Sequence, residues 1–293
     1  MPDLQLMFEL GSTDPSPIEE ALARLGASSV TLEDAGDHPV LEPAPGETPL
    51  WPAVRIRALF GADADRKAIE AALAATLPIE TRLQFELLED RPWEREWLRD
   101  FRPMKFGRRL WVCPDGQAAG DADAVRLMLD PGLAFGTGTH ATTALCLEWL
   151  DGCDLRGCRV IDYGCGSGIL AIAALKLGAA SALAFDIDPQ ALLATRENAE
   201  RNNVAARLTV TATAPRQPAS SDVLVANILA GPLIDLAGQF AALLRARGRL
   251  ALSGVLANQA DTVAAAYCPW FMIDPTMVRD GWALLSGRRG SIS

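Results

Sequence analysis

Residues 160–168 constrain this chain more than any other stretch. They read Val-Ile-Asp-Tyr-Gly-Cys-Gly-Ser-Gly, a short apolar run that ends in an acid and then meets glycine at three alternate positions. The run 169–177, rich in Ala and Leu, follows and stops at Gly178. This pattern predicts a buried strand, a tight turn and a helix closed by glycine. Glycines at 164, 166 and 168 free the turn from Cβ sterics and let a ligand approach the backbone. Alone, the turn is equally compatible with a βα connection that binds nothing. A second landmark decides otherwise. Residues 182–185 form another apolar run, ending in Asp186-Ile187-Asp188-Pro189 before a new helix. An acid at the tip of the second strand, about 20 residues past the glycines, is placed for ribose hydroxyls. Together the two predict a nucleoside cofactor site.

Spacing narrows the nucleoside. The dinucleotide fingerprint G-x-G-x-x-G needs glycine or alanine at its last place so that a pyrophosphate can sit on the helix. Here that place is Ile169, and the pattern is G-x-G-x-G. Asp162, two residues before the first glycine, also suits a cationic ligand better than a pyrophosphate. NAD binding remains the competing reading. The string Asp-x-Gly-Cys-Gly-Ser-Gly resembles the first motif of class I S-adenosylmethionine-dependent methyltransferases. The resemblance implies S-adenosylmethionine as cofactor and a seven-stranded, mostly parallel, Rossmann-like sheet.

At 293 residues the chain exceeds the usual single domain, which predicts two. A formal charge of −10 argues against a general nucleic-acid binder and permits a basic partner. Six cysteines without a C-x-x-C pair, beside two histidines, support neither a disulfide framework nor a metal site. The start carries Asp3 and Glu9 and lacks the pattern of a signal peptide, and no apolar run approaches a membrane span. The expectation is a soluble, cytoplasmic protein.

The first part of the chain alternates. Leu4, Leu6, Phe8 and Leu10 predict a strand with one buried face. A helix over 18–25, opened by Pro15 and Pro17, and a strand at Val30 and Leu32 follow. After a proline-rich loop at 36–52, residues 54–60, 65–75 and 83–88 predict strand, helix and strand. The order β-α-β-β-α-β is the split arrangement of ferredoxin-like domains. Residues 1–90 are therefore expected to be a small α+β ferredoxin-like unit that carries no chemistry and selects a substrate. Residues 91–119 read as a linker, with Trp93, Trp97 and Phe101 on one face of a short helix. From 120 to 293, strands alternate with helices. That predicts a doubly wound α/β domain with ligands at the carboxyl ends of its strands, where Asp162, Asp186 and Asn227 all fall.

Residues 130–143 read Asp-Pro-Gly-Leu-Ala-Phe-Gly-Thr-Gly-Thr-His-Ala-Thr-Thr, a candidate ligand loop ahead of a helix at 144–150. No lysine follows its glycines, which excludes a Walker-type phosphate loop. Phe135 and the hydroxyls from Thr139 to Thr143 are candidates to wrap the methionine end of the cofactor. His140 has neither an acid nor a nucleophile near it in the sequence, which favours a structural or cofactor-wall role.

With Asn227-Ile228-Leu229-Ala230-Gly231-Pro232 and the string Leu-Ser-Gly-Val-Leu-Ala-Asn at 252–258, these motifs resemble the PrmA family of ribosomal protein methyltransferases. The likeness is detailed over 120–290 and looser, through strand order, before it. It implies that Thr143, Gly164, Asp186 and Asn227 contact S-adenosylmethionine, with Asp162, Gly166, Phe135 and Thr139 as further candidates. It also implies methyl transfer to amines, on lysines and the N-terminus, of the eleventh protein of the large ribosomal subunit, without a nucleic-acid or membrane requirement. Asn227 would then position the amine, because a neutral amide accepts its hydrogens whereas a carboxylate would hold the unreactive ammonium. Adenine-methylating enzymes share this plan but carry Asn-Pro-Pro-Tyr, whose ring stacks on a flipped base. Ile228-Leu229-Ala230 offer no ring. Two other readings stay open: a methyltransferase for another protein, nucleic acid or small-molecule amine, and a binding module that keeps the fold without catalysis.

Overall fold

The structure is a computed structural model, in which residues 3–36, 50–74, 76–77, 81–88, 102–114, 117, 123–129, 140–219 and 221–290 are described. The chain divides into two compact units, Met1–Glu96 and Trp97–Ser293. In the first, β1 (Asp3–Gly11), α1 (Ser16–Arg24), β2 (Ser29–Asp34), β3 (Val54–Gly61), α2 (Arg66–Leu73) and β4 (Gln84–Leu88) follow one another. The strands form an antiparallel sheet in the order β2-β3-β1-β4. Leu4, Leu6, Phe8 and Leu10 alternate with Gln5, Met7 and Glu9, so they share one face of β1. There they are buried with Ile56, Ala58 and Phe60 of β3 and with Ile18, Leu22, Ile69 and Leu73 of the two helices.

The second unit opens with a small sheet of β5 (Met104–Phe106), β6 (Leu110–Cys113) and β7 (Val125–Met128). This corrects the expected linker at 91–119. Residues 89–101, including the aromatic face of Trp93, Trp97 and Phe101, lie outside the described residues. Residues 104–113, however, are not a connector, because Phe106, Leu110 and Val112 are buried in the main core of the second unit. The charges of Lys105, Arg108 and Arg109 disguise a hairpin whose turn contains Gly107 at φ +68°. Asn202 secures β7 by bonding both the N–H and the carbonyl of Met128, at 2.8 and 2.6 Å.

The large sheet has five parallel neighbours: β8 (Arg159–Tyr163), β9 (Ser181–Phe185), β10 (Leu208–Thr211), β11 (Ser221–Asn227) and β12 (Leu244–Leu256). Past β12 come β13 (Phe271–Ile273), β14 (Met277–Arg279) and β15 (Trp282–Arg289), with β15 antiparallel to the other two and to β12. Among the described residues the sheet thus has eight strands rather than seven. The extra one, β14, is three largely exposed residues and leaves no apolar run to read.

Neighbouring residues of one strand serve opposite faces. Val160, Val223, Val225 and Ala251 pack with α3 (Ala141–Asp151), α4 (Ile169–Lys176) and α5 (Pro189–Arg201). Ile161, Leu224, Leu250 and Leu252 pack with α6 (Ala230–Asp235), α7 (Ala237–Leu243) and α8 (Ala260–Tyr267). Burial on both faces explains why these strands read as unbroken apolar runs. The strand order, β10-β9-β8-β11-β12-β15-β13, reverses direction between β8 and β11. A crevice opens at the carboxyl ends of strands at such a switch point. No helix among the described residues is long and apolar enough to cross a membrane.

Candidate functional site

Gly164 follows β8 directly with φ +80°, and its N–H and that of Cys165 donate to the Phe185 carbonyl at 2.8 and 3.0 Å. A Cβ at Gly164 would overlap Cγ2 of Ile228, so the turn after β8 lies against the turn after β11. The Gly166 N–H donates to Asp186 Oδ2 at 2.9 Å, and its carbonyl accepts the Thr195 hydroxyl at 2.9 Å. Asn198 Nδ2 holds the Ser167 carbonyl at 3.0 Å. Thr195 and Asn198 are both buried on α5 and brace the glycine turn from behind. Neither belongs to a motif. The signal they leave is a pair of polar side chains three apart on the helix after the second acid, which fall on one face.

Asp186 sits just past β9, half-buried, with Oδ1 accepting the Asp188 N–H at 3.0 Å. Each of its oxygens takes one backbone donor and keeps a further lone pair. Asp162 is different. It is 0% exposed, its Oδ2 accepts the Ala171 N–H of the first turn of α4 at 2.9 Å, and its Oδ1 has no hydrogen-bond partner among the described residues. The residue that spacing marked as a cation contact is thus a buried cap on the helix that the glycine turn opens.

Burial pushes the Asp162 carboxyl up from its ordinary 3.8 to about 7, against the Ala171 hydrogen bond and with help from the Asp186 charge. A folded value above the unfolded one means that the native state holds the proton between those two pH values. This contribution to stability is full below the unfolded value and fades as pH rises to about 7, by at most ~1.4 kcal/mol per pH unit. Asp162→Asn removes it. Urea denaturation should therefore show the variant gaining on the parent between pH 4 and pH 7, and a difference independent of pH would assign the buried proton elsewhere.

Thr143 lies in the first turn of α3 rather than in a loop. His140 caps that helix, its Nδ1 accepting the Thr142 N–H at 3.4 Å and lying 2.8 Å from Thr142 Oγ1. Its ring meets Trp282 edge-on with centroids 4.9 Å apart. Thr143 is buried, and its Oγ1 accepts Asn227 Nδ2 at 3.3 Å. Asn227 is the last residue of β11, at the switch point. With its nitrogen engaged, the amide presents its carbonyl oxygen as acceptor. Gly254 supports this turn from β12. It has φ +81°, and a Cβ there would overlap the Ile228 carbonyl, so only glycine lets the two backbones approach.

The fold therefore gathers Thr143, Gly164, Gly166, Asp186 and Asn227 at one end of the sheet, with Asp162 beneath them. Phe135 and Thr139 lie outside the described residues. Among the described residues no group of three His, Cys, Asp or Glu is arranged to hold a metal ion.

The profile of a family described as "Ribosomal protein L11 methyltransferase (PrmA)" matches residues 4–290. A ribosomal protein L11 methyltransferase of Ectopseudomonas mendocina (strain ymp) is 55% identical over 294 residues, covering 98% of this chain and 99% of its own. One from Pseudomonas putida (strain W619) is 54% identical, covering 99% and 100%. A crystal structure of ribosomal protein L11 methylase from Lactobacillus delbrueckii subsp. bulgaricus is 34% identical with a TM-score of 0.59, over 65% of this chain and 100% of that one.

Proposed function

The chain belongs to the PrmA family of ribosomal protein L11 methyltransferases, and on that premise we propose that it transfers methyl groups from S-adenosylmethionine to lysine and N-terminal amines of ribosomal protein L11. The observation that carries this reading is the Asn227–Thr143 hydrogen bond at the switch point, which presents a neutral acceptor oxygen beside the cofactor crevice.

S-adenosylmethionine supplies a methyl group activated on a sulfonium, so the protein has binding and aiming to do. The residues present fit it. Asp186 keeps acceptor capacity on both oxygens for a ribose diol, and Gly164 leaves the turn without a side chain. An incoming lysine is an ammonium in water, with a pKa near ~10.4, and only its neutral form has a lone pair. The Asn227 carbonyl takes an amine hydrogen and aims that lone pair without stabilising the ammonium as a carboxylate would. Thr143 holds the amide in that sense, which is positioning rather than proton transfer.

We read the first unit as a ferredoxin-like recognition domain, and the large sheet as the class I methyltransferase core with a strand added at its antiparallel edge. Residues 1–96 carry 19 acidic and 8 basic residues, a net charge of −11, whereas 97–293 carry 18 and 19. A lysine-bearing target is drawn to the first unit by that field. We place the enzyme in the cytoplasm with its substrate.

Tritium transfer from labelled S-adenosylmethionine to purified L11, followed by mass spectrometry of each amine, tests the activity. Cofactor binding without transfer to L11 would sink it. Asp186→Ala should weaken cofactor binding by about 1.5–3 kcal/mol, the value of a charge-assisted hydrogen bond. Calorimetry showing unchanged affinity would remove Asp186 from the site.

A further inference from the structure

We propose that the edge of the large sheet opposite the cofactor crevice binds the phosphate backbone of an RNA strand. Two cavities, of about 610 and 330 Å³, both reach Gly152 and Cys153 at the end of α3. Their walls carry Arg108, Arg109, Arg156, Arg249 and Arg288. Arg249 and Arg288 are cross-strand partners on β12 and β15, so they share a face of the sheet. Val160 of β8 and Val223 of β11 stand level with Arg249, so Arg159 turns to the opposite face and is not part of this group.

The fold presents these side chains deliberately. Buried Asp151 accepts the backbone N–H of Arg108 at 2.6 Å and of Arg109 at 3.4 Å, which fixes the β5–β6 turn; it also pairs with Arg109 Nε at 3.5 Å, and the Arg108 side chain stays exposed. Arg249 is braced on the Asp154 carbonyl at 2.7 Å. The nearby carboxylates are already engaged. Asp154 pairs with Arg156 through both oxygens at 2.9 Å, Asp222 is shared by Arg159 and Arg245, and Glu148 pairs with Arg279; Asp274 takes the Ser286 hydroxyl at 2.9 Å and keeps its charge. The side chains of Arg108, Arg247 and Arg288 have no hydrogen-bond or ion-pair partner among the described residues.

Arg247 adds an independent observation. It holds φ +61° in an exposed stretch, 245–247, at the same edge of the sheet. A bulky residue rarely adopts that conformation, which glycine takes freely. An outlier of this kind points to a use for the side chain.

A repeating polyanion engages a cluster of guanidinium groups around adjoining cavities as a single acid does not, and the guanidinium fork matches phosphate. Because the contacts are to phosphate, binding is independent of sequence and depends on salt.

The test is fluorescence anisotropy of a short labelled single-stranded RNA of mixed sequence with the whole protein. The expected slope of log affinity against log salt is about −2 to −3.5, for three to five phosphates. The combined variant Arg108→Glu, Arg247→Gly, Arg288→Glu should weaken binding at least about tenfold, with methyl transfer to free L11 unchanged. Arg247→Gly alone should keep or raise the melting temperature while weakening RNA binding, which a purely structural role for Arg247 does not allow. Absence of RNA binding at low salt, or equal affinity of the combined variant, overturns the proposal. So does concentration-dependent self-association that the combined variant abolishes while RNA binding persists, since the edge would then hold the acidic unit of a second copy.

Discussion

Asn227→Ala should lower turnover about 100-fold, the cost of misplacing a reacting group by roughly an ångström. Cofactor affinity should change less than turnover, because positioning the amine acts on the reaction itself. The hydrogen bond to Thr143 Oγ1 at 3.3 Å predicts a graded series. Thr143→Val keeps the volume and removes the bond, so it should lie between the parent and Asn227→Ala. Asn227→Asp discriminates further. A carboxylate beside the amine favours the ammonium and raises its pKa, so the rising limb of kcat against pH should move up by about 1–3 units. Normal turnover at neutral pH for Asn227→Asp would exclude a role for a neutral acceptor here.

Removing residues 1–96 should leave cofactor binding intact and lower methyl transfer to L11 by about 10 to 10³-fold, the range of electrostatic steering lost with a charge of −11. The place of the cut is decisive. A chain starting at 120 also loses Phe106, Leu110 and Val112 from the main core. At about 1.5–3 kcal/mol for each buried side chain, that approaches the whole stability of a domain, about 5–15 kcal/mol. It should therefore fail to bind cofactor because it fails to fold. Circular dichroism and calorimetry of the two truncations, with mass spectrometry of every L11 amine, separate these outcomes. A protein of residues 97–293 that methylates L11 like the whole enzyme would show that the first unit does not select the substrate.

Local pattern carried much of this protein. The alternation of Leu4, Leu6, Phe8 and Leu10 marks β1, and the apolar runs before Asp162, Asp186 and Asn227 mark buried parallel strands, because side-chain period and burial are properties of contiguous residues. Glycines 164, 166 and 168 announced a turn of positive φ, and all three adopt it. What the pattern could not carry was anything that depends on residues distant in the chain. β7 and β14 are short, partly exposed strands that exist because β6 and β15 supply their hydrogen bonds. The hairpin at 104–113 looks like a charged connector until Phe106, Leu110 and Val112 find the core.

The site divides in the same way. Candidates for it could be named one by one, since acids and amides at strand ends follow from the alternation of strands and helices. Their roles needed the fold. Asp162 has the composition of a ligand contact and the burial of a helix cap, and burial is decided by α4 folding over it. Thr143 reads as part of a loop but becomes a helix residue facing Asn227, 84 residues away. The reversal of strand order between β8 and β11 is written in no single motif, yet it brings together the strand ends at which these residues meet. Sequence determined which groups are available and on which elements they ride. Tertiary structure decided which of them lose water and which become neighbours, because both depend on the whole packed chain.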